Sequence, residues 1–285
     1  MKSCFLENGS KLSQPVKINR KTYFVQSTCT FDSVAQILLS GAVDHPTYDS
    51  AIKKSSNTML QFVSQTLNTG VIRKTYTDRA RLLLNWYTPQ PNVKTENNVL
   101  SYTLSGYDSI YNFVDKALRT EPSVYITEEC SRLCKRQYTS VLMSPNHKII
   151  AKTGFGALKV ALNFWPRLTK LRCFTKDCNA SMTRTSRLGI HLFIDMDVRN
   201  NPSDKYGMRC KLFDIPVSLN FKDVEGNDVQ YRLIGAIKFT PGHFTAYSFR
   251  NTTNWEHYDD MEINKTLQSA AMEIEPHLVI YVRLP

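Results

Sequence analysis

The sequence contains no apolar run approaching 18 residues, and its first fourteen residues lack the apolar core of a signal peptide. A bilayer-spanning helix needs about 20 predominantly apolar residues, so no transmembrane segment and no membrane partner are predicted. Glycine is scarce, at 11 of 285 residues, and low-complexity stretches are absent, which indicates a globular composition. We therefore expect a folded intracellular protein of the cytoplasm or nucleus.

Disulfide bonds are also not expected, because the seven cysteines are an odd number and no secretory signal accompanies them. The cysteines lie at positions 4, 29, 130, 134, 173, 178 and 210. In a reducing compartment this spacing favours one catalytic thiol, one metal-binding cluster of four cysteines and two further thiols.

Positive charge is in excess, but it forms no basic run in the sequence. There are 36 lysines and arginines against 25 acidic residues, which gives a formal net charge of +11. A basic balance favours acidic partners, such as nucleic acids or acidic protein surfaces. Because the basic residues are scattered and match no nucleic-acid-binding motif, the charge alone gives nucleic-acid binding little support.

The apolar pattern changes from helical to strand-like near the middle of the chain. Apolar residues at helical spacing predict helices at 31–40, 48–67, 74–85 and 107–118. Segments rich in branched and aromatic residues predict strands at 124–126, 139–143, 148–151, 157–164, 189–198, 211–219, 229–239, 243–250 and 278–284. Helices followed by strands, without regular alternation, predict an α+β fold.

The sequence offers no linker at which the chain would divide into two domains. Residues 1–20 are polar and basic, and we expect them to form a flexible tail. Residues 21–285 are then expected to form a single catalytic domain. The region at about 120–190 is expected to protrude from that domain as an insertion.

Three residues at the two ends of the chain have the chemistry of a cysteine hydrolase. His243 follows Pro241-Gly242 at the start of a predicted strand, and Asp259 ends the next strand, so antiparallel pairing would bring both to one end of a sheet. Cys29 precedes a predicted helix, whose N-terminus favours a thiolate. A nucleophile, a base and an orienting carboxylate are the groups that acyl transfer requires. Taken singly, Cys29 could instead be a small buried hydrophobe and His243 a structural hairpin histidine.

These segments resemble the two catalytic boxes of the ubiquitin-specific proteases. The upstream match is Thr28-Cys29-Thr30-Phe31-Asp32-Ser33 with Gln36, and the downstream matches are Gly242-His243-Phe244 and Trp255-x-x-Tyr258-Asp259-Asp260. The resemblance implies a papain-like cysteine protease fold with an N-terminal helical thumb, a C-terminal antiparallel-sheet palm and a fingers insertion. It also implies that Cys29 is the nucleophile, His243 the base, Asp259 the orienting carboxylate and Asp260 an auxiliary group.

The sequence departs from the family pattern just before the cysteine. The family has an asparagine five residues before its cysteine, which helps to form the oxyanion hole, whereas this chain has Phe24. Gln26, three residues before Cys29, or the Cys29 backbone N–H is a candidate replacement donor. Asp32 in place of the family's asparagine, and Phe244 after the histidine, resemble the SUMO-directed branch more than the main ubiquitin-directed branch.

A second cysteine group lies between the two boxes. Cys130 and Cys134 form one close pair, Cys173 and Cys178 another, and strand-like segments flank both pairs. Four thiolates in two pairs can close a structural tetrahedral zinc site. The ubiquitin-specific proteases carry a comparable zinc ribbon in their fingers, although their spacing is tighter. The alternative is four unrelated thiols.

Together the motifs predict a thiol-dependent isopeptidase that cleaves a ubiquitin-like modifier after its C-terminal Gly-Gly, with ubiquitin or SUMO and their conjugates as partners. A catalytically inactive protease fold that binds a modifier or acts as a scaffold is the second hypothesis, because the oxyanion segment is irregular. A basic nucleic-acid-binding protein is the third, and salt-sensitive DNA retention would favour it.

Overall fold

The structure is a computed structural model that describes residues 5–92, 100–199 and 203–285. In the first 120 residues its elements are β1 (Val16–Ile18), β2 (Lys21–Gln26), α1 (Cys29–Asp44), α2 (Pro46–Lys54), α3 (Thr58–Thr69), α4 (Arg73–Trp86), β3 (Gln90–Pro91), β4 (Ser101–Ser105) and α5 (Ile110–Leu118). The remainder holds β5 (Val124–Cys130), β6 (Lys135–Ser140), β7 (Leu142–Met143), α6 (His147–Thr153), α7 (Leu158–Leu162), β8 (Arg167–Arg172), β9 (Ser181–Leu188), β10 (His191–Asp195), β11 (Cys210–Lys211), β12 (Ser218–Lys222), β13 (Asp228–Thr240), β14 (His243–Phe249), β15 (Trp255–Tyr258), β16 (Thr266–Gln268), β17 (Glu273–Ile274) and β18 (Pro276–Arg283).

An eight-stranded sheet, which we call the central sheet, organises the second half of the chain. Its strand order is β16-β15-β14-β13-β18-β10-β7, with β12 paired to β13. All its pairs are antiparallel except β7 with β10. Helices α1–α5 precede this sheet along the chain, whereas α6 and α7 lie between its strands β7 and β10. The fold mixes helix and sheet, as the sequence predicts.

Helix α1 packs between the central sheet and the other N-terminal helices, and this placement explains why it is apolar nearly all round. Fourteen of its residues, from Cys29 to Ala42, are buried. Phe31 packs edge-on against Phe62 and Phe113, with ring centroids 5.1 and 5.7 Å away. A helix buried on all sides is rigidly held, so its first residue, Cys29, has a fixed position against the sheet.

A separate four-stranded sheet, which we call the distal sheet, has the order β6-β5-β9-β8. Its middle is held by Glu128, which is fully buried and accepts hydrogen bonds from Arg136 and Arg184 on the two neighbouring strands. The four cysteines of the predicted zinc cluster lie at one end of this sheet and in its loops.

Several secondary-structure predictions are wrong. The predicted helix 48–67 is two helices, because the Asn57 side chain accepts hydrogen bonds from the N–H groups of Met59 and Leu60 and starts α3 anew. The predicted strands 148–151 and 157–164 are helices α6 and α7; a short apolar run does not distinguish the two. Within 211–219, a 3-10 turn precedes strand β12.

Two predictions about domain organisation also differ from the structure. Residues 5–20 are not a flexible tail: Leu6 is buried and β1 pairs with β2. The region 120–190 is not one continuous protrusion, since β7 joins the central sheet and the α6–α7 segment packs on the same core. Residues 1–4, including Cys4, lie outside the described residues. None of the described helices is long and apolar enough to cross a bilayer.

Candidate active site

His243 and Asp259 meet at one end of the central sheet. Pro241 and Gly242 form a two-residue turn between β13 and β14, and Gly242 adopts φ 83, which only glycine takes without strain. The register that pairs Ala246 with Tyr258 brings Asp259 back to the start of β14. The His243 Nε2 and Asp259 Oδ1 atoms are 2.8 Å apart. This bond makes Nε2 the donor and leaves Nδ1 to accept a proton.

Cys29 lies beside the same end of β14. The Phe244 backbone lies close enough to the Cys29 thiol to lower its pKa, and the Ser33 hydroxyl, one turn along α1, donates to the Phe244 carbonyl over 3.2 Å. Burial raises the pKa of the Cys29 thiol above its ordinary 9.0; the Phe244 backbone lowers it, and the carboxyl groups of Asp260 and Asp32 raise it again. Burial is the largest of these effects, and the resting thiol is neutral at pH 7. A base must therefore take the proton of this thiol as the sulfur attacks.

Asp260, the next residue, is buried rather than solvated. Its carboxyl lies 3.6 Å from His243 Nε2 and accepts a 2.7 Å hydrogen bond from the Asn8 side chain. Burial, and then the adjacent Asp32 carboxyl, raise the pKa of Asp260 well above its ordinary 3.8. Asp260 is thus protonated at pH 7, and Asp259 alone supplies the carboxylate that faces His243.

Asp32 belongs to a buried polar network under the site. It pairs with the fully buried Arg79 over 2.7 Å and accepts a hydrogen bond from the Thr28 hydroxyl. Breaking such a pair by removing one partner leaves an uncompensated buried charge. Asp32 therefore has a structural role: it is the partner of a buried cation.

The predicted oxyanion donors lie next to Cys29 in the chain. Gln26 is exposed at the end of β2, and Ser27 connects it to α1 with φ 56. Phe24, at the family's asparagine position, is 45% exposed. The backbone N–H of Cys29 is in the first turn of α1, where N–H groups have no acceptor within the helix. Both sequence candidates, Gln26 and the Cys29 backbone, therefore lie at this helix start.

The four central cysteines converge, as the sequence predicts. Their sulfur atoms all lie within 4.8 Å of one another, with 3.9 Å between Cys130 and Cys178 and 3.8 Å between Cys134 and Cys178. Zn–S bonds of about 2.3 Å in a tetrahedron put sulfur atoms about 3.8 Å apart. The Arg132 backbone N–H donates to Cys130 Sγ, and the Thr175 N–H donates to Cys173 Sγ and lowers its pKa. The donor set thus fits a zinc ion.

The distal sheet carries much of the excess charge of the chain. Residues 124–140 and 165–188 contain nine lysines and arginines and three acidic residues, a net charge of +6 out of +11. One of the acidic residues is Glu128, which is buried and neutralised by two arginines. These basic residues are scattered in the sequence and are brought together by the strand pairing of the distal sheet.

The chain is similar to known proteins at low sequence identity. No family model matches the chain. A 120.7 kDa protein in the NOF-FB transposable element of Drosophila melanogaster is 23% identical over 300 residues, which cover 98% of this chain and 26% of that protein, so the chain spans about a quarter of the length of this relative.

Among solved structures, the SAGA Ubp8/Sgf11/Sus1/Sgf73 DUB module is similar at 13% identity and a TM-score of 0.47, over 98% of this chain and 69% of that one. The same module bound to ubiquitin aldehyde is similar at 14% identity and a TM-score of 0.45, over 98% and 71%. The Saccharomyces cerevisiae PAN2 pseudoubiquitin-hydrolase-RNase module is similar at 11% identity and a TM-score of 0.40, over 90% and 52%.

Sequence reasoning missed two members of the buried network, Asn8 and Arg79. Asn8 was assigned to a tail, and a single polar residue in such a segment gives no signal of burial. Arg79 gave a signal that could have been read: it lies next to Ala80 on the buried face of α4, with Leu83 four residues further on. A cation on an apolar helix face requires a buried anion, and Asp32 is that anion.

Proposed function

We propose that the chain is a cysteine isopeptidase domain that removes a ubiquitin-like modifier from its conjugates. The observation that carries the proposal is the 2.8 Å pair between His243 and Asp259, one residue before the backbone that contacts the Cys29 thiol. The helical first half, the central sheet and the distal sheet would then be the thumb, palm and fingers of a papain-like protease.

In the proposed reaction, Cys29 Sγ attacks the carbonyl carbon of the modifier's C-terminal glycine while its proton passes to His243 Nδ1. Asp259 holds the imidazole by Nε2 and stabilises its charged form. The protonated His243 then gives its proton to the leaving lysine amine, which leaves a thioester on Cys29. Water, deprotonated by His243, hydrolyses the thioester and regenerates the thiol.

The neutral resting thiol is consistent with this order of events. Since burial disfavours the Cys29 thiolate, proton transfer to His243 accompanies attack and does not precede substrate binding. Gln26 and the Cys29 backbone N–H are the proposed donors to the developing oxyanion. Each such donor contributes about 10²–10³ in rate in enzymes of this type.

The proposed zinc ion would be structural. Cys130, Cys134, Cys173 and Cys178 would fill all four of its positions, leaving none for water, and zinc would tie the loops at the end of the distal sheet together. We place the protein inside the cell, in the cytoplasm or nucleus, where these thiols would stay reduced.

The modifier is proposed to present an acidic surface, because the distal sheet is basic. This property favours SUMO over ubiquitin as the modifier. Nucleic acid is also acidic and would meet the same charge requirement. DNA binding by the protein that weakens steeply with increasing salt would indicate that the distal sheet binds nucleic acid instead.

The proposal is tested by turnover of fluorogenic C-terminal conjugates of ubiquitin and of SUMO. We expect hydrolysis of one conjugate by the wild type and loss of about 10³-fold or more in Cys29→Ala and His243→Ala. The Cys210→Ala variant, which removes a buried cysteine away from the site, is the matched control and should retain activity. A folded wild type that hydrolyses neither conjugate would favour the inactive, modifier-binding alternative.

A further inference from the structure

Residues 5–11, which we call the N-terminal strap, are bound to both halves of the candidate active site. The Asn8 side-chain amide donates to Asp260 Oδ2 over 2.7 Å, and the Asn8 backbone N–H donates to the Asp260 carbonyl over 2.9 Å. The Gly9 N–H donates over 2.8 Å to the hydroxyl of Thr28, which is the residue before Cys29. One dipeptide thus joins the loop that carries Asp259 to the start of α1.

The strap also closes a ring of hydrogen bonds beneath the site. From Gly9 the ring runs through the Thr28 hydroxyl to Asp32, from Asp32 to Arg79, and from Arg79 Nη1 back to the carbonyl of Glu7 over 2.8 Å. In a buried network each member is costly to leave unpaired, so the ring resists displacement of any one of them.

Burial and close packing show that the strap is an integral part of the fold. Leu6, Asn8 and Gly9 are all buried, and the Phe5 ring stacks on Tyr258 at 5.9 Å. A Cβ added at Gly9 would come within 2.9 Å of the Val25 carbonyl oxygen, so only glycine allows the strap to lie this close to β2. Asn8 is thereby held in place from both sides.

We propose that Asn8 is a positioning residue of the active site: by fixing Asp260, it fixes the adjacent Asp259 and the hydrogen bond of Asp259 to His243. This inference rests on the proposed function. Asp260 carries no hydrogen bond to the reacting atoms, so Asn8 acts through the backbone of the Asp259-Asp260 dipeptide. A displacement of about 1 Å at such a site can cost about 10²-fold in rate.

The test measures alkylation of Cys29 by iodoacetamide at pH 7.5, with the modified residue assigned by mass spectrometry. This readout depends on the base that deprotonates Cys29 and needs no modifier. Asn8→Ala, Asp260→Ala and the double variant are compared with the wild type, and Lys17→Ala, which changes an exposed residue of β1, is the matched control. Where turnover is measurable, kcat and KM are determined for the same proteins.

We expect Asn8→Ala to slow Cys29 alkylation and kcat by roughly 10- to 100-fold, with KM within about twofold of the wild type. In the Asp260→Ala background the same substitution should change the rate by less than about twofold, because the group through which Asn8 acts is gone. The Lys17→Ala protein should match the wild type.

Equal effects of Asn8→Ala in both backgrounds would overturn the inference, as would a loss of thermal stability with unchanged alkylation. If Asn8→Ala does not fold, the conservative variant Asn8→Gln takes its place in the same cycle. The wild type could fail to process any modifier while Asn8→Ala still slows Cys29 alkylation only when Asp260 is present. In that case the proposed function fails and the positioning role of Asn8 stands.

Discussion

Replacing Asp260 by asparagine should change the pH dependence of stability in a defined direction. The folded state holds a proton on Asp260, because burial and the neighbouring Asp32 raise its pKa above its ordinary 3.8. The unfolded chain releases that proton above about pH 4. At Asp260 the folded protein therefore binds one more proton than the unfolded chain at neutral pH, so the contribution of this residue to the free energy of unfolding falls as the pH rises.

The expected magnitude follows from the proton count. One proton held only by the folded state costs about 1.4 kcal/mol of the free energy of unfolding per pH unit. Between pH 5 and pH 7, the free energy of unfolding of the wild type should therefore fall by up to about 2.7 kcal/mol relative to that of Asp260→Asn. The amide replaces the neutral acid with the same shape, and its oxygen can accept the hydrogen bond from Asn8.

Urea denaturation at pH 5, 6 and 7 measures the difference, with Asp228→Asn, an exposed substitution far from the network, as the control. Asp260→Asn should gain stability relative to the wild type as the pH rises, while Asp228→Asn should follow the wild type. Parallel curves for the wild type and Asp260→Asn would mean that Asp260 is ionised in the folded protein, and would refute the reasoning.

Three further predictions concern the other parts of the site. Cys173→Ser should lower the zinc content below one ion per chain, measured by elemental analysis, and reduce thermal stability, measured by calorimetry. The control variant Cys210→Ser should leave the zinc content unchanged. Equal zinc content in the two variants would refute the proposed zinc site. Gln26→Ala should lower kcat by about 10²-fold if its side chain contacts the oxyanion; unchanged turnover would assign that role to the Cys29 backbone. Charge reversal at Arg132, in the turn between β5 and β6, and at Arg172, at the end of β8, should raise KM for the modifier conjugate and flatten its salt dependence, with kcat retained. The same effect from Lys54→Glu on α2 would show a non-specific charge effect.

The contact between His243 and Asp259 could be predicted from the sequence because it depends on residues that lie close together in the chain. Residues close in sequence determine the turn at Pro241-Gly242 and the lengths of β14 and β15. The contact between His243 and Asp259 then follows from the strand register. The convergence of the four cysteines is predicted from two close pairs flanked by strand-like segments, together with the resemblance to a zinc ribbon, and the structure confirms it.

The buried network under the site could not be predicted, because it depends on contacts between distant segments. Asn8 and Asp260 are 252 residues apart, and Arg79 and Asp32 are 47 apart. Neither pair leaves a local pattern. The prediction of strands at helices α6 and α7 is wrong for a different reason: these helices are only seven and five residues long, too short for their apolar spacing to distinguish helix from strand.

The most direct test of the central claim is covalent labelling with ubiquitin and SUMO that carry a C-terminal electrophile, followed by peptide mapping of the adduct. We predict one adduct per chain with one of the two probes, located on Cys29, slowed in Asp259→Ala and absent in Cys29→Ala. An adduct on another cysteine, or labelling that persists in Cys29→Ala, would contradict the assignment of Cys29 as the nucleophile.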